Sequence, residues 1–149
     1  MSEPKRKPLV LVLCTANSAR SQMAEAWLRA KAGNRFEVAS AGLSPSQVNP
    51  MTHRVMAEVG IDTSGHRSKG TKEFLGRARV DYAIVVCEQA QQSCPRIFPF
   101  ASHMLYWPFP DPAAAEGGEI ERLECFREVR DRIGARIDQW LDDLPSGRI

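Results

Sequence analysis

Eight consecutive residues hold the groups best suited to chemistry: Cys14-Thr15-Ala16-Asn17-Ser18-Ala19-Arg20-Ser21. A thiol and a guanidinium bracket five small or polar residues. The guanidinium is a planar fork that matches a tetrahedral oxyanion. Small residues let the backbone curl, so that successive N–H groups converge on one point as an anion nest. A helix N-terminus behind the loop adds unpaired donors and partial positive charge. The same field acts on sulfur, and a free thiol near ~8.5 falls to roughly 3.5–7.5 in such surroundings. Cys14 is therefore expected to be a thiolate at neutral pH, inside an oxyanion cup made by Thr15, Ala16, Asn17, Ser18, Ala19, Arg20 and Ser21.

The flanking patterns say how that loop is held. Pro8-Leu9-Val10-Leu11-Val12-Leu13 is a continuous apolar run, which marks a strand buried on both faces. Residues 22–30 pair Met23 with Trp27 and Ala24 with Leu28 at helical spacing. The thiol thus ends a strand and the arginine begins a helix. Residues 36–42 read as a second strand, parallel to the first because a helix joins them. Residues 42–50 are a Gly, Ser and Pro-rich loop. Met51, Val55 and Val59 form a helical stripe stopped by Gly60. Residues 61–70 are irregular, with a short helix near 71–75. Strands follow at 82–87, closed by Cys87, and at 103–107. Residues 119–144 form a long amphipathic helix with Ile120, Leu123, Phe126, Val129, Ile133, Ile137, Trp140 and Leu144 on one face. Alternating strands and helices predict one α/β domain over residues 1–149, with 1–7 as a flexible tail. In such sheets ligands bind beyond the carboxyl ends of the strands, at the topological switch point. The Cys14 loop falls there.

Composition narrows the function classes. The chain has 149 residues, 43% hydrophobic and 26% charged, which suits a single well-buried core. A net charge of +2 gives no footprint for nucleic acid. No apolar run is long enough to span a bilayer and no secretion signal opens the chain, so a cytoplasmic location is expected. In a reducing compartment the four cysteines are expected to be catalytic, metal-binding or redox-active.

Cys87 and Cys94 form a second constellation. If the third strand pairs with the first, Cys14 and Cys87 lie on strands about 4.8 Å apart, inside the Cα separation of about 4.4–6.8 Å that a disulfide needs. If residues 88–93 are helical, Cys87 and Cys94 are separated by a rise of about 10 Å, too far for a disulfide until the segment unwinds. Asp111, between Pro110 and Pro112, is a turn residue by type. Cys125 sits on the amphipathic helix with a structural role. His53, His66 and His103 are scattered, and none is an evident base.

The Cys14 loop resembles the phosphate-binding loop of low-molecular-weight protein tyrosine phosphatases and of the arsenate reductases that share their fold. Cys87, Cys94-Pro95, Asp111-Pro112-Ala113, Ser40-Ala41-Gly42 and Val48-Asn49-Pro50 look more specifically like thioredoxin-coupled arsenate reductases. That resemblance implies a three-layer α/β sandwich with a four-stranded parallel sheet, no cofactor, and a relay in which Cys14 attacks arsenate and Asp111 protonates the departing hydroxyl. Cys87 then takes the Cys14 sulfur, Cys94 takes Cys87, and thioredoxin reduces the outer disulfide. Ser21 would steady the thiolate and Asn17 the loop; phosphate or sulfate would mimic the substrate. Some relatives build a potassium site from an Asn, a Glu and a Ser matching Asn17, Glu25 and Ser40, plus an Asp. Lys69 stands at that Asp, and its ammonium is expected to replace the cation. The same cup could also run a phosphatase through a cysteinyl-phosphate. A thiol metal site at Cys87 and Cys94 lacks a second ligand pair at zinc spacing.

Overall fold

The continuous apolar runs at 8–13 and 82–86 become the two central strands of a parallel sheet. The computed structural model describes residues 7–74, 79–88 and 101–144. In it β1 (Leu9–Cys14), β2 (Glu37–Gly42), β3 (Val80–Val85) and β4 (Ala101–Tyr106) lie in the order β2-β1-β3-β4. Each neighbouring pair is parallel. Between and after them run α1 (Arg20–Ala32), α2 (Pro50–Glu58) and α3 (Glu119–Asp143), with 3-10 turns at Thr71–Glu73 and Pro112–Ala114. The order places β1 between β2 and β3, so Cys14 ends the strand at the switch point.

Side chains alternate across a strand, yet Val10, Leu11, Val12 and Leu13 are all fully buried. Both faces of β1 are therefore covered, as a three-layer sandwich requires. On one face α1 and α3 pack together, and Trp140 of α3 stacks on Phe36 at 5.5 Å and meets Tyr82 and Trp107 edge-on. Trp27 of α1 donates its indole N–H to the Arg130 carbonyl of α3 at 2.9 Å. Among the described residues no helix is long and apolar enough to cross a membrane.

Four expectations shift. β3 starts at Val80, ahead of Asp81, because the Asp81 carboxylate accepts the Leu9 backbone N–H at 2.8 Å and so belongs to the sheet. It ends at Val85, which leaves Cys87 two residues beyond the strand instead of closing it. Val59 has left the helical conformation and is exposed, so α2 buries Thr52, Val55 and Met56. Ile120 is 75% exposed, and the buried stripe of α3 begins one turn later at Leu123. Residues 1–6, most of the expected tail, and Cys94 lie outside the described residues. So does the expected helix over 88–93, apart from Glu88.

Candidate active site

The loop between β1 and α1 is shaped by where its carbonyls go. Thr15 O accepts from Ser44 N, and Ala16 O from Ser46 N and the Ser68 hydroxyl. Asn17 O accepts from Gln22 Nε2, Ser18 O from Asn49 N and the Thr52 hydroxyl, and Ala19 O from Met23 N. Every carbonyl of residues 15–19 is thus engaged outward, and in a trans peptide the following N–H points the opposite way. The amides are left to face inward, as the oxyanion cup demands. Gly42 makes the close approach of β2 to this loop feasible: a Cβ there would lie 2.6 Å from Thr15 O and 2.8 Å from Asn17 N.

Asn17 is the one non-glycine residue with positive φ among the described residues, at +50°. Its carboxamide is fully occupied. Nδ2 donates to the Ser21 and Ser40 hydroxyls at 2.9 and 2.8 Å, while Oδ1 accepts from Gln22 Nε2 and Lys69 N at 2.9 and 2.8 Å. Four hydrogen bonds therefore offset the roughly 1–2 kcal/mol that a left-handed residue costs.

The cup has a volume of about 150 Å³ and is lined by Cys14, Thr15, Ala16, Ser18, Ala19, Arg20, Ser46, Asp111 and Ala113. Buried Arg20 donates to the Phe109 carbonyl at 3.0 Å and stands 3.8 Å from Asp111 Oδ2. Asp111 starts the Pro112–Ala114 turn by accepting the Ala113 N–H at 3.0 Å, and the segment before it is tied to the sheet through Trp107 N to Val85 O and Phe109 N to Val86 O. Cys14, Arg20 and Asp111, far apart in sequence, share one cavity.

The state of Cys14 departs from the expected thiolate. Burial pushes its thiol above the ordinary value and is the largest effect. Arg20 and the backbone N–H groups of Thr15 and Ser21 pull it down, and Asp111 pushes it up. Part of the guanidinium's reach goes to the Phe109 carbonyl and Asp111, which weakens its hold on the sulfur. Ser21 acts on Cys14 through its backbone, while its hydroxyl accepts from Asn17.

Leu13 pairs with Val85 and Val86 N donates to Leu13 O, so Cys87 falls just past the level of Cys14. Cys87 is buried and disulfide-bonded, whereas Cys14 and Cys125 are free thiols. Under the cup Ser40 donates to Glu25 Oε1 at 2.5 Å, and the Lys69 ammonium lies 3.8 Å from the same oxygen. With an ammonium there, the Asn17, Glu25 and Ser40 set does not fit a potassium ion.

Sequence reading missed Gln22 and His66, which bond to each other behind the loop. Their only signal was a polar side chain on the first turn of a helix otherwise read for its apolar stripe.

The chain is similar to known proteins along nearly all of its length. The model of the low molecular weight phosphotyrosine protein phosphatase family matches residues 9–147. The arsenate reductase of Halalkalibacterium halodurans is 42% identical over 91% of this chain and 96% of its own length. A solved arsenate reductase in the phosphate binding state is 29% identical, covers 93% of this chain and 99% of that one, and superposes with a TM-score of 0.71. The thioredoxin-dependent arsenate reductase of Corynebacterium glutamicum is also 29% identical, covering 93% of this chain and 64% of that one with a TM-score of 0.65. With the fold, the cup and this similarity along nearly its whole length, the chain belongs to the low molecular weight phosphotyrosine protein phosphatase family, among the arsenate reductases built on that fold.

Proposed function

We propose that the chain reduces arsenate to arsenite by a three-cysteine relay, for arsenic detoxification. The observation that carries this reading is a second sulfur: disulfide-bonded Cys87 stands just past the level of free Cys14. A phosphatase needs only the cup.

Arsenate docks on the inward amides and Arg20. The Cys14 sulfur attacks arsenic, and the thiol proton leaves with the departing hydroxyl as water by way of Asp111, whose charge acts on that sulfur. Cys87 then attacks the Cys14 sulfur. The sulfur–arsenic bond breaks, its electron pair stays on arsenic, and arsenite leaves behind a Cys14–Cys87 disulfide. Cys94 attacks Cys87, freeing Cys14 and leaving the disulfide at Cys87 and Cys94. A dithiol reductant of the thioredoxin class returns both to thiols, in keeping with the thioredoxin-dependent relative.

The phosphatase reading is the alternative that the family name favours. The cup would form and hydrolyse a cysteinyl-phosphate, so weak phosphate-ester hydrolysis is expected beside the main activity. The deciding experiment is arsenate-dependent NADPH oxidation with thioredoxin and thioredoxin reductase. Wild type should turn over, and Cys94→Ser should stall after one equivalent of arsenite. Cys87→Ser should lose arsenate turnover and keep ester hydrolysis. Brisk ester hydrolysis without arsenate turnover in the wild type would make the chain a phosphatase.

A further inference from the structure

Behind the cup, three backbone groups fix the orientation of three side chains in series. Lys69 N can only donate, so the Asn17 atom it meets at 2.8 Å is the carbonyl Oδ1. Gln22 also approaches that oxygen, at 2.9 Å, and must present its NH2 there. The same NH2 meets the Arg67 and Asn17 carbonyls at 3.0 and 3.2 Å, which requires a donor again. The other end of the Gln22 amide is then Oε1, an acceptor. It faces His66 Nδ1 at 2.8 Å, so that nitrogen carries the hydrogen. Burial holds the imidazole below its ordinary value, hence neutral at pH 7, and its tautomer is set by this chain of contacts. The far nitrogen, Nε2, lies 4.0 Å from Glu25 Oε2.

We propose that Gln22 and His66 are positioning residues of the oxyanion cup: the His66 Nδ1–H holds the Gln22 amide, and the amide holds Asn17 in its left-handed conformation. Neither touches the cup cavity. Both act through Asn17, whose φ of +50° lets the loop amides converge. Without the imidazole donor the Gln22 carbonyl is unpaired, the amide turns to water or inverts, and Asn17 loses a donor it needs to stay in place.

This inference rests on the oxyanion-binding half of the proposed function and not on the relay. The test is calorimetric titration of the reduced protein with inorganic phosphate at one pH, for wild type, His66→Leu, His66→Asn and Gln22→Glu. Asn places a side-chain N–H near the position of Nδ1 and removes the ring nitrogen beside Glu25. His66→Leu should bind phosphate about tenfold more weakly, and Gln22→Glu more weakly still. His66→Asn should stay within about threefold of wild type. Equal loss in the Leu and Asn variants would overturn the proposal, because the contact with Glu25 would then be the one that matters. So would wild-type affinity in His66→Leu. Thermal melts confirm that each titrated variant is folded, and if Gln22→Glu is not, the two His66 variants decide. A wild type that binds neither phosphate nor arsenate would instead remove the oxyanion reading itself.

Discussion

At the scale of single residues, Asp111 acts on both charged groups of the cup. Its carboxylate raises the Cys14 thiol and sits 3.8 Å from the guanidinium that would lower it. Removing the charge favours the thiolate, so in Asp111→Asn the pH midpoint for alkylation of Cys14 should fall. Arsenate turnover should drop by about 10²-fold as the proton route is lost. A midpoint that rises would reverse the assigned sign. Lys69 gives a second expectation: with an ammonium beside Glu25, turnover should be the same in potassium as in sodium. A several-fold gain in potassium would mean that the ammonium does not fill that place. Cys14, Arg20 and Asn17 were legible in the sequence because a loop of small residues between a strand and a helix has few uses. The protonation of Cys14 was not, since the burial that pushes its thiol up and the Asp111 charge that adds to it exist only once the chain is folded.

Between elements, α1 and α3 meet where Gly134 faces Trp27. A Cβ at 134 would come within 3.0 Å of the indole, whose N–H is already committed to Arg130 O. Gly134→Ala gains about 1 kcal/mol of helix propensity and incurs overpacking of about 1–3 kcal/mol, for a net loss of about 1 kcal/mol in chemical denaturation. Gly65→Ala, where nothing lies within 4 Å, should be neutral. The α2–α3 seam is ionic. Glu58 takes a two-pronged bond from Arg127 and one from Arg130, and these hold its carboxyl down at about 2. Because that value is depressed, the seam's contribution is complete above about pH 4.5 and is lost only as pH falls towards 2. Glu58→Gln should therefore lower stability modestly at pH 7, because the pair faces solvent, and converge on wild type as pH falls towards 2, which flattens that part of the acid limb. Strand runs announced these elements well. Their ends did not follow apolar pattern alone: Asp81 extends β3 by bonding Leu9, and Val59 turns away from its stripe.

For the molecule as a whole, strand order brings three distant stretches of chain to one carboxyl edge, and the alternation of strands and helices was enough to foresee it. What the pattern could not supply is the network beneath the edge. Gln22 and Glu25 of α1, Ser40 of β2, and His66 and Lys69 of the 66–70 stretch come from three separate segments; the resemblance singled out Glu25, Ser40 and Lys69, while Gln22 and His66 carry no signal until β2 and residues 66–70 close on the loop. The cup's size also decides what can poison it. Cys14 is 3% exposed at the bottom of about 150 Å³. That cavity admits a tetrahedral anion or hydrogen peroxide whole, whereas the bulk of a tripeptide disulfide stays outside and must thread a sulfur to the bottom. Peroxide should inactivate the reduced protein through Cys14, and a filled cup should protect it. Glutathione disulfide should leave Cys14 untouched, so for this nucleophile oxidative injury sorts by the size of the oxidant before it sorts by redox potential.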